Sequence, residues 1–366
     1  MLKDAVPLVR CRRALVIKLR HHGDVLLATP VLTALKAAAP QLEIDALVYD
    51  DTAPMLAAHP DLAQLHTVGR AWRGWGPLAH ATAEWRLFSQ LRARRYDLLV
   101  HLSEHPRGAW LARSLGARWR VAPRYADRGR LWSGSFSHRF ALPATPRRHM
   151  VEWNLDALRR IGVQPAMEDR RVCFVPGAQA EASVQARLSA SGLEPGAYLH
   201  LHPASRWRFK CWPADKVAAL ADRLAQDGSR IVFTAAPDRE ETQLVEDIVA
   251  RMQAPSVNLA GQLSLKELGA LAARARLFIG VDSMPMHLAA AMGVPVVALF
   301  GPSGEREWGP WSVAHEVVSS AHPCRPCGND GCGGGKVSEC LTTLEVEPVL
   351  AAARRLLEKG REVRAA

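Results

Sequence analysis

The sequence predicts an α/β protein of two domains, each built on a mainly parallel sheet. Three observations lead to this prediction. At 366 residues, the chain has about twice the length of a common single domain. Short apolar runs, which are typical of buried strands, alternate with stretches of helical periodicity. The alternation comes in two series, which are separated by a pause at residues 143–149.

The two series predict two Rossmann-like halves, over residues 1–172 and 173–347, because alternating strands and helices form parallel sheets. The predicted strands cover residues 13–19, 43–49, 98–102 and 119–121 in the first half, and 198–202, 230–234, 277–280 and 296–300 in the second. The predicted helices cover residues 24–36, 83–95 and 151–162, then 214–226, 240–252 and 265–275. Residues 348–366 form a basic amphipathic helix, which we expect to pack back on the first domain.

The composition is that of a soluble globular protein, with 48% hydrophobic and 23% charged residues. Arg10, Arg12 and Arg13 interrupt the start of the chain, so it has no apolar region of the kind found in secretory signal peptides. The longest nearly apolar run, residues 288–300, is too short to span a bilayer. We therefore expect a cytoplasmic protein.

The chain is basic, with 47 Lys and Arg against 36 Asp and Glu and a net charge of +11. Between Arg107 and His149 there are ten arginines and a single acidic residue, Asp127. Such a segment would attract nucleic acid, an anionic membrane face or an acidic lipid-linked glycan. A solvated basic face is the alternative. No motif that reads DNA or RNA is present, so we expect no nucleic-acid partner.

Residues 280–291 carry the strongest signal for a site. Asp282, Ser283 and His287 follow a buried apolar run and open a helix of small residues. A helix amino-terminus has spare N–H donors and a positive dipole end, so this position suits a phosphate. In an open α/β sheet, ligands bind at the carboxyl ends of the strands. The alternative is that Ser283 is an ordinary N-cap beside surface polar groups.

Two further strand ends carry polar residues. After the first strand, Asp24 lies at a helix start, where it could cap the helix or act as a general base. No GxGxxG occurs there, which argues against a nicotinamide or flavin enzyme. After strand 198–202, Ser205 and Lys210 could hold an anion, although a basic connecting loop is the alternative.

Four of the seven cysteines fall within 17 residues, in the spacing Cys324-x2-Cys327-x4-Cys332-x7-Cys340. Four thiolates on a glycine-rich loop suit a tetrahedral structural zinc ion. Four reduced cysteines that pack a loop are the alternative, since disulfides do not persist in a reducing compartment.

Together, three segments resemble the lipopolysaccharide core heptosyltransferases: VIKLRHHGDVLLATPVLTALK, FKCWP and GVDSMPMHLAAAMGVPVVALFGPS. The opening segment, LVYDDTAPMLAAHPDL and the cysteine-rich tail are most similar to the heptosyltransferase III branch. This resemblance implies a GT-B fold, with two Rossmann-like domains facing across a cleft. It also implies an ADP-heptose donor on the second domain, a lipid A–core acceptor on the first, inversion at the anomeric carbon, and no cofactor for catalysis.

Carried over by position, the resemblance implies that Asp24 is the general base and that Lys210 stabilises the leaving ADP. It further implies that the donor is bound by Ser205, Arg206, Glu240, Leu263, Asp282, Ser283, Met284 and His287. Among these, Ser205 and Arg206 would contact phosphate, Glu240 the ribose and Leu263 the adenine. Asp282 and the turn after it would hold the heptose and diphosphate, and His287 would contact phosphate or orient Asp282.

Two departures from the family pattern bear on the site. Many relatives have a hydroxyl residue before the Gly-Asp pair, where this chain has Arg20-His21-His22. Many also have Gly-Leu where this chain has Met284-Pro285. Proline has no N–H, so one phosphate contact should be missing.

Two other functions stay open at this point. One is a sugar-nucleotide epimerase of the same fold, and the other is a non-enzymatic binder of anionic glycolipid. Peripheral contact with the cytoplasmic face of the inner membrane is expected from the basic segment and the basic carboxy-terminal helix.

Overall fold

The computed structural model describes residues 4–142 and 148–365. Most of the predicted pause at residues 143–149 therefore lies outside the described residues. Arg147 of the basic segment lies outside them as well. The chain divides into two compact units, Met1–Val175 and Pro176–Ala366. The sequence predicted the division three residues earlier, between 172 and 173.

The first unit is built on a parallel sheet of six strands in the order β3-β2-β1-β4-β5-β6. The strands are β1 (Arg13–Ile17), β2 (Glu43–Tyr49), β3 (Gln64–Val68), β4 (Leu98–His101), β5 (Trp119–Pro123) and β6 (His138–Phe140). Its α-helices are α1 (His22–Leu26), α2 (Thr29–Ala38), α3 (Pro77–Arg94), α4 (Pro106–Ser114), α5 (Arg130–Ser133) and α6 (Met150–Arg160). Short 3-10 helices cover Leu8–Arg10, Asp50–Met55, Arg70–Gly74 and Glu168–Arg170.

The second unit repeats the architecture, with six parallel strands in the order β12-β11-β10-β7-β8-β9. The strands are β7 (Tyr198–His202), β8 (Arg230–Phe233), β9 (Val257–Asn258), β10 (Leu277–Val281), β11 (Val296–Leu299) and β12 (His315–Val318). Its α-helices are α7 (Ala178–Ala190), α8 (Ala214–Gln226), α9 (Arg239–Arg251), α10 (Leu265–Ala273), α11 (Met284–Ala291), α12 (Glu305–Trp308), α13 (Glu339–Thr342) and α14 (Val346–Ala365). Short 3-10 helices cover Arg208–Lys210 and Cys332–Gly334.

The predicted α/β class with parallel sheets is confirmed in both units. The central strands β4, β7, β10 and β11 are buried along their whole length. Such strands read as nearly continuous apolar runs because helices cover both faces of a parallel sheet. The missed strands β3, β6, β9 and β12 lie farther from the sheet centre and are short or polar, so they lack that signal.

In each sheet the strand order reverses once. In the first unit the chain builds β1, β2 and β3 outward in one direction and then returns to place β4 on the other side of β1. The second unit does the same at β7 and β10. Crossover helices leave the two central strands toward opposite faces, so a crevice opens beyond their carboxyl ends. These two positions are where the fold favours ligand binding.

The predicted helix over residues 24–36 is two helices. Helix α1 ends at Leu26, and the Thr29 hydroxyl donates to the Leu26 carbonyl at 2.8 Å. Pro30 then occupies the first turn of α2, where its missing N–H costs no helical hydrogen bond.

The carboxy-terminal helix α14 packs within the second unit, which corrects the expectation that it returns to the first domain. Its apolar residues Val349, Leu350, Ala353 and Leu356 join the core formed by strands β7, β8 and β10 and helix α8. On its polar side, Arg354 pairs with Asp227 at 2.8 Å. The helix is amphipathic, as its sequence indicates, but sequence periodicity does not identify the partner of the apolar face.

Among the described residues, no helix combines the length and the apolar character that crossing a membrane requires.

A substitution at Gly280 tests the packing at the reversal point between β7 and β10. It lies opposite His202 in the β10–β7 register, and a Cβ at this position would be 2.9 Å from the His202 carbonyl oxygen. We expect Gly280→Ala to lower the free energy of unfolding of the second unit by about 1–3 kcal/mol, because strands must shift to admit the methyl group. Urea unfolding measures the change.

The matched control is Gly360→Ala in α14, where an added Cβ meets no heavy atom within 4 Å. Removal of a helical glycine should stabilise the unit by about 0.5–1 kcal/mol. Equal effects of the two substitutions would contradict the packing argument.

Candidate functional site

At the reversal point of the second unit, Lys210 and Asp282 form an ion pair. The Lys210 ammonium donates to an Asp282 carboxylate oxygen at 2.6 Å. Lys210 lies in the loop after β7, and Asp282 is the first residue after β10. Since β7 and β10 are hydrogen-bonded neighbours, two residues that are 72 positions apart in the sequence meet at one sheet edge. Both side chains are largely buried, at 21% and 6% exposure.

Ser283 is the N-cap residue of α11, with Met284 and Pro285 in its first turn. The Ser283 side chain makes no capping hydrogen bond in this geometry, and its hydroxyl lies 3.4 Å from the Val281 carbonyl. The Met286 N–H donates to the Ser283 carbonyl. Ser283 is therefore the N-cap residue by position, as the alternative interpretation expects, but its hydroxyl does not cap the helix. The role of Ser283 in binding phosphate stays a prediction.

His287 is buried one turn into α11, with its ring 6.4 Å from the ring of Trp308. It packs beneath the helix start. The role of orienting Asp282 or contacting phosphate stays a prediction for this residue.

The loop after β7 holds the other predicted phosphate contacts. Ser205 is buried, and its hydroxyl accepts a hydrogen bond from the Trp207 N–H at 3.2 Å. Arg206 is exposed, and its guanidinium lies 5.4 Å from the centre of the Trp207 ring. The loop thus holds a buried hydroxyl and an exposed cation within two consecutive residues.

Glu240 and Leu263 lie after the next two strands, β8 and β9. Glu240 is exposed in the first turn of α9 and faces Arg208 at 3.5 Å. Leu263 packs against the core of β8, β10 and β11 residues. Gly261, with φ of +72°, brings its loop against Thr242 at the start of α9. The two residues therefore follow adjacent strands, and the loop that precedes Leu263 contacts the helix that carries Glu240.

Sequence reasoning missed a buried polar cluster on β7 and β8. The Thr234 hydroxyl lies 2.7 Å from Nε2 of His200 and 2.8 Å from Nδ1 of His202. Burial lowers the pKa of each histidine to about 3, so both rings are neutral near pH 7. The alternation of His200 and His202 along β7, with Leu201 between them, was the available signal. The cluster fixes β7 to β8 directly behind the Ser205 loop.

Asp24 lies at the reversal point of the first unit. It is the third residue of α1, and His21 is the N-cap, so the interpretation of Asp24 as the capping residue is wrong. Its carboxylate is mostly buried and lies 3.9 Å from the Arg20 guanidinium, which also pairs with Glu104. A carboxylate that does not cap the helix can accept a proton from a ligand hydroxyl.

A buried lysine, also missed, lies beside Asp24. Lys18 directly follows β1, and its ammonium donates to the Leu102 carbonyl at 3.0 Å and to the Asn154 side-chain oxygen at 3.1 Å. Burial lowers the pKa of Lys18, whereas the nearby Asp24 carboxylate acts to raise it. Both hydrogen-bond acceptors are neutral, so neither of them compensates the charge of the ammonium.

The four cysteines of the predicted zinc site are reduced, and they differ in exposure. Cys324 and Cys332 are exposed, Cys327 is half-buried and Cys340 is buried. The pKa of the Cys324 thiol is raised by desolvation and by the thiol of Cys327. Across residues 4–142 and 148–365, no three His, Cys, Asp or Glu side chains are grouped so as to hold a metal ion. The donor set suits zinc in its chemistry, but in this geometry it does not form a coordination site.

Comparisons with known proteins agree with one family. Residues 84–337 match the model of "Glycosyltransferase family 9 (heptosyltransferase)". The chain is 35% identical over 296 residues to lipopolysaccharide heptosyltransferase 3 of Escherichia coli K12, which covers 80% of this chain and 84% of the relative.

Solved structures agree on the fold. A glycosyl transferase family 9 structure from Veillonella parvula superposes with a TM-score of 0.83 at 24% identity, covering 98% of this chain and all of that one. The E. coli heptosyltransferase WaaC with ADP-2-deoxy-2-fluoro heptose superposes with a TM-score of 0.67 at 20% identity, covering 95% and 99% of the two chains. The predicted GT-B class is confirmed by these likenesses.

The Lys210–Asp282 pair makes a prediction about stability. In Lys210→Met, the buried Asp282 carboxylate loses its partner. Breaking a fully buried pair costs about 3–5 kcal/mol, and we expect about 1–3 kcal/mol here because Lys210 is partly exposed. Adding Asp282→Asn should restore part of this loss. Urea unfolding of the two single variants and the double variant measures the coupling.

Lys336→Met is the matched control, since its pair with Asp330 is exposed on both sides. Such pairs contribute about 0–1 kcal/mol. If the effects of Lys210→Met and Asp282→Asn were simply additive, the two side chains would not be energetically coupled.

Proposed function

This chain belongs to glycosyltransferase family 9, the heptosyltransferases, and from that premise we propose that it moves L-glycero-D-manno-heptose from ADP-heptose to the inner core of lipopolysaccharide. The similarity to heptosyltransferase 3 supports the third core heptose as the one added. The observation that carries the proposal is the meeting of Lys210, Ser205, Asp282 and Ser283 at the reversal point of the second unit.

The order of the strands supports a donor laid along the carboxyl edge of the second sheet. Asp282, Lys210, Glu240 and Leu263 follow β10, β7, β8 and β9, which are consecutive neighbours. Three spacings of roughly 4.8 Å separate the first of these strands from the last, so the sheet edge from the end of β10 to the end of β9 is about 14 Å long. In this arrangement the diphosphate lies at the reversal point, the ribose beside Glu240 and the adenine against Leu263.

Several groups could bind the diphosphate. One N–H of the Lys210 ammonium is used on Asp282, so two donors remain for phosphate oxygens. Pro285 has no N–H, which leaves the Ser283 and Met284 amides, with the positive end of α11, to face the same phosphate. Ser205 and Arg206 would add a hydroxyl and a guanidinium.

The proposed reaction is a single displacement with inversion. The acceptor hydroxyl oxygen forms a bond to C1 of the heptose while the bond from C1 to the ADP phosphate oxygen breaks. The Asp24 carboxylate takes the proton of the attacking hydroxyl. The bonding electrons leave with ADP, and Lys210 and the start of α11 stabilise the charge that develops there. No step needs a metal ion, in line with a family that requires no cofactor.

A lipid A–core acceptor is proposed for the first unit. The basic segment from Arg107 onward gives that unit the positive charge that a phosphorylated glycan would meet. Since such an acceptor is membrane-anchored, we propose that the protein works at the cytoplasmic face of the inner membrane.

The test of this function is transfer from ADP-heptose to a truncated core acceptor, read as a gain of one heptose by mass spectrometry. We expect Asp24→Asn to lower turnover by about 10²- to 10⁴-fold, because the proton of the attacking hydroxyl loses its acceptor. Binding of ADP-heptose should be unchanged, as measured by calorimetry.

Asp127→Asn, which changes an exposed carboxylate of the same unit, is the control and should keep wild-type turnover. Full activity of Asp24→Asn would remove Asp24 from the mechanism. Interconversion of the nucleotide sugar without an acceptor would instead indicate an epimerase.

A structural zinc ion on the four-cysteine loop stays a prediction that metal analysis tests. Protein purified under reducing conditions should carry about one zinc per chain if all four thiolates bind, with loss in Cys327→Ser. Less than about 0.1 zinc per chain would leave the cysteines as packing residues.

A further inference from the structure

The first unit exposes an unusual number of large apolar side chains in one part of its sequence. Nine such residues are exposed across the described parts of the chain, and five of them fall between residues 75 and 131. We call these five the aromatic surface: Trp75, Leu78, Trp85, Trp110 and Leu131. On α3 the exposed large apolar residues are Leu78 and Trp85, at 85% and 67% exposure. None of the five has a role in the proposed transfer reaction.

Ring contacts join this surface across two helices. Leu78 and Trp85 are seven residues apart on α3, so they lie on the same side of that helix, two turns apart. The Trp85 ring centre is 6.0 Å from that of Phe88, and Phe88 is 5.2 Å from Trp110 of α4. The apolar side chains of α3 and α4 therefore form one continuous surface.

The surface extends to α5. Arg113, one turn after Trp110, donates to the Leu131 carbonyl at 3.1 Å. The same guanidinium donates to Ser135 at 2.8 Å. These bonds hold the backbone of Leu131 beside the carboxyl end of α4, and the Leu131 side chain is 73% exposed. Trp75 lies at the other end, directly before α3.

Basic side chains accompany the aromatic surface. Helix α3 exposes Arg86 and Arg92. The stretch from α4 to β6 exposes Arg113, Arg118, Arg124 and Arg130, and Asp127 is its single acidic residue. Glu84, on the same helix as Trp85, is paired with Arg107. The surface thus combines exposed Trp and Leu side chains with a clear excess of positive charge.

We propose that the aromatic surface of α3, α4 and α5 docks this protein on an anionic phospholipid bilayer. Tryptophan is favoured at the boundary between lipid and water, where its ring is buried and its N–H stays hydrated. Leu78 and Leu131 would enter the acyl region, and the arginines would meet anionic headgroups. The excess of arginines over acids favours this occupant over a second copy of the chain, whose identical surface would repel it.

This inference rests on the proposed function, because a lipid-linked acceptor gives the enzyme a reason to work at a bilayer. The aromatic surface would be the part of the protein that contacts the bilayer. The basic carboxy-terminal helix is a weaker candidate, since its apolar side is already buried in the core of the second unit.

The test is co-sedimentation of the full-length protein with vesicles of phosphatidylcholine that contain about one-third phosphatidylglycerol. We expect the double variant Leu78→Ser, Trp85→Ser to bind at least about tenfold more weakly, because two inserting side chains are lost. Binding of the wild type should also weaken with added salt and on vesicles of phosphatidylcholine alone. Thermal unfolding checks that the double variant is folded.

Met167→Ser is the matched control, since Met167 is 71% exposed elsewhere in the same unit. It should bind like the wild type. No binding by the wild type, or equal binding by the double variant, would overturn the proposal. Self-association that the double variant abolishes, without vesicle binding, would identify a contact between copies and would overturn it too.

Transfer to a delipidated core oligosaccharide separates this inference from the proposed function. The double variant should keep wild-type turnover on that soluble acceptor. Loss of vesicle binding with full turnover supports the docking surface. If the protein binds vesicles but transfers no heptose, the docking surface is supported and the proposed transferase function is contradicted.

Discussion

The reversal of strand order in each sheet is the constraint on which the rest of this structure depends. A parallel sheet that grows from its centre in both directions must send its crossover helices to opposite faces, and a crevice opens between the two central strands. Here the reversals occur at β1/β4 and at β7/β10. Asp24 and Lys18 lie at the first reversal, and Lys210 and Asp282 lie at the second. The site residues lie where the topology leaves room for a ligand.

The Lys210–Asp282 pair shows how that crevice is kept ready. Two charges are held at 2.6 Å with little access to water, at the cost of their desolvation. Ser283 directly follows Asp282 and opens α11, so the pair also fixes the start of that helix. Behind it, Gly280 allows β10 to approach the carbonyl of His202, and Thr234 links His202 to β8. These contacts orient the polar groups in advance, as the proposed stabilisation of charge on the leaving group requires.

The central strands, and the kinds of residue that follow them, could be predicted from the sequence. Strands β2 and β7 and helix α8 have the predicted bounds, because buried apolar runs and helical periodicity are local signals. Edge strands such as β3 and β12 lack that signal. The partner of α14 depends on which apolar face it meets, and periodicity does not carry this information. The motifs identified Lys210 and Asp282 separately. Their contact follows from the adjacency of β7 and β10, which no local pattern encodes.

Each reversal point holds a lysine, Lys18 in the first unit and Lys210 in the second, but the two lysines have different partners. An amine with 5% exposure normally sheds its charge or finds a carboxylate, and burial does lower the pKa of Lys18. Its direct partners are the Leu102 carbonyl and Asn154, and Asn154 in turn donates to the Leu27 carbonyl, just after the helix that carries Asp24. The lysine therefore braces α1 against β4 while it adds positive potential beside Asp24. In the second unit the cation is bonded to a carboxylate, and its remaining N–H donors are the ones that the proposed stabilisation of an anionic leaving group requires. In the first unit the cation is bonded to neutral oxygens and not to the Asp24 carboxylate, as the proposed role of Asp24 as a general base requires.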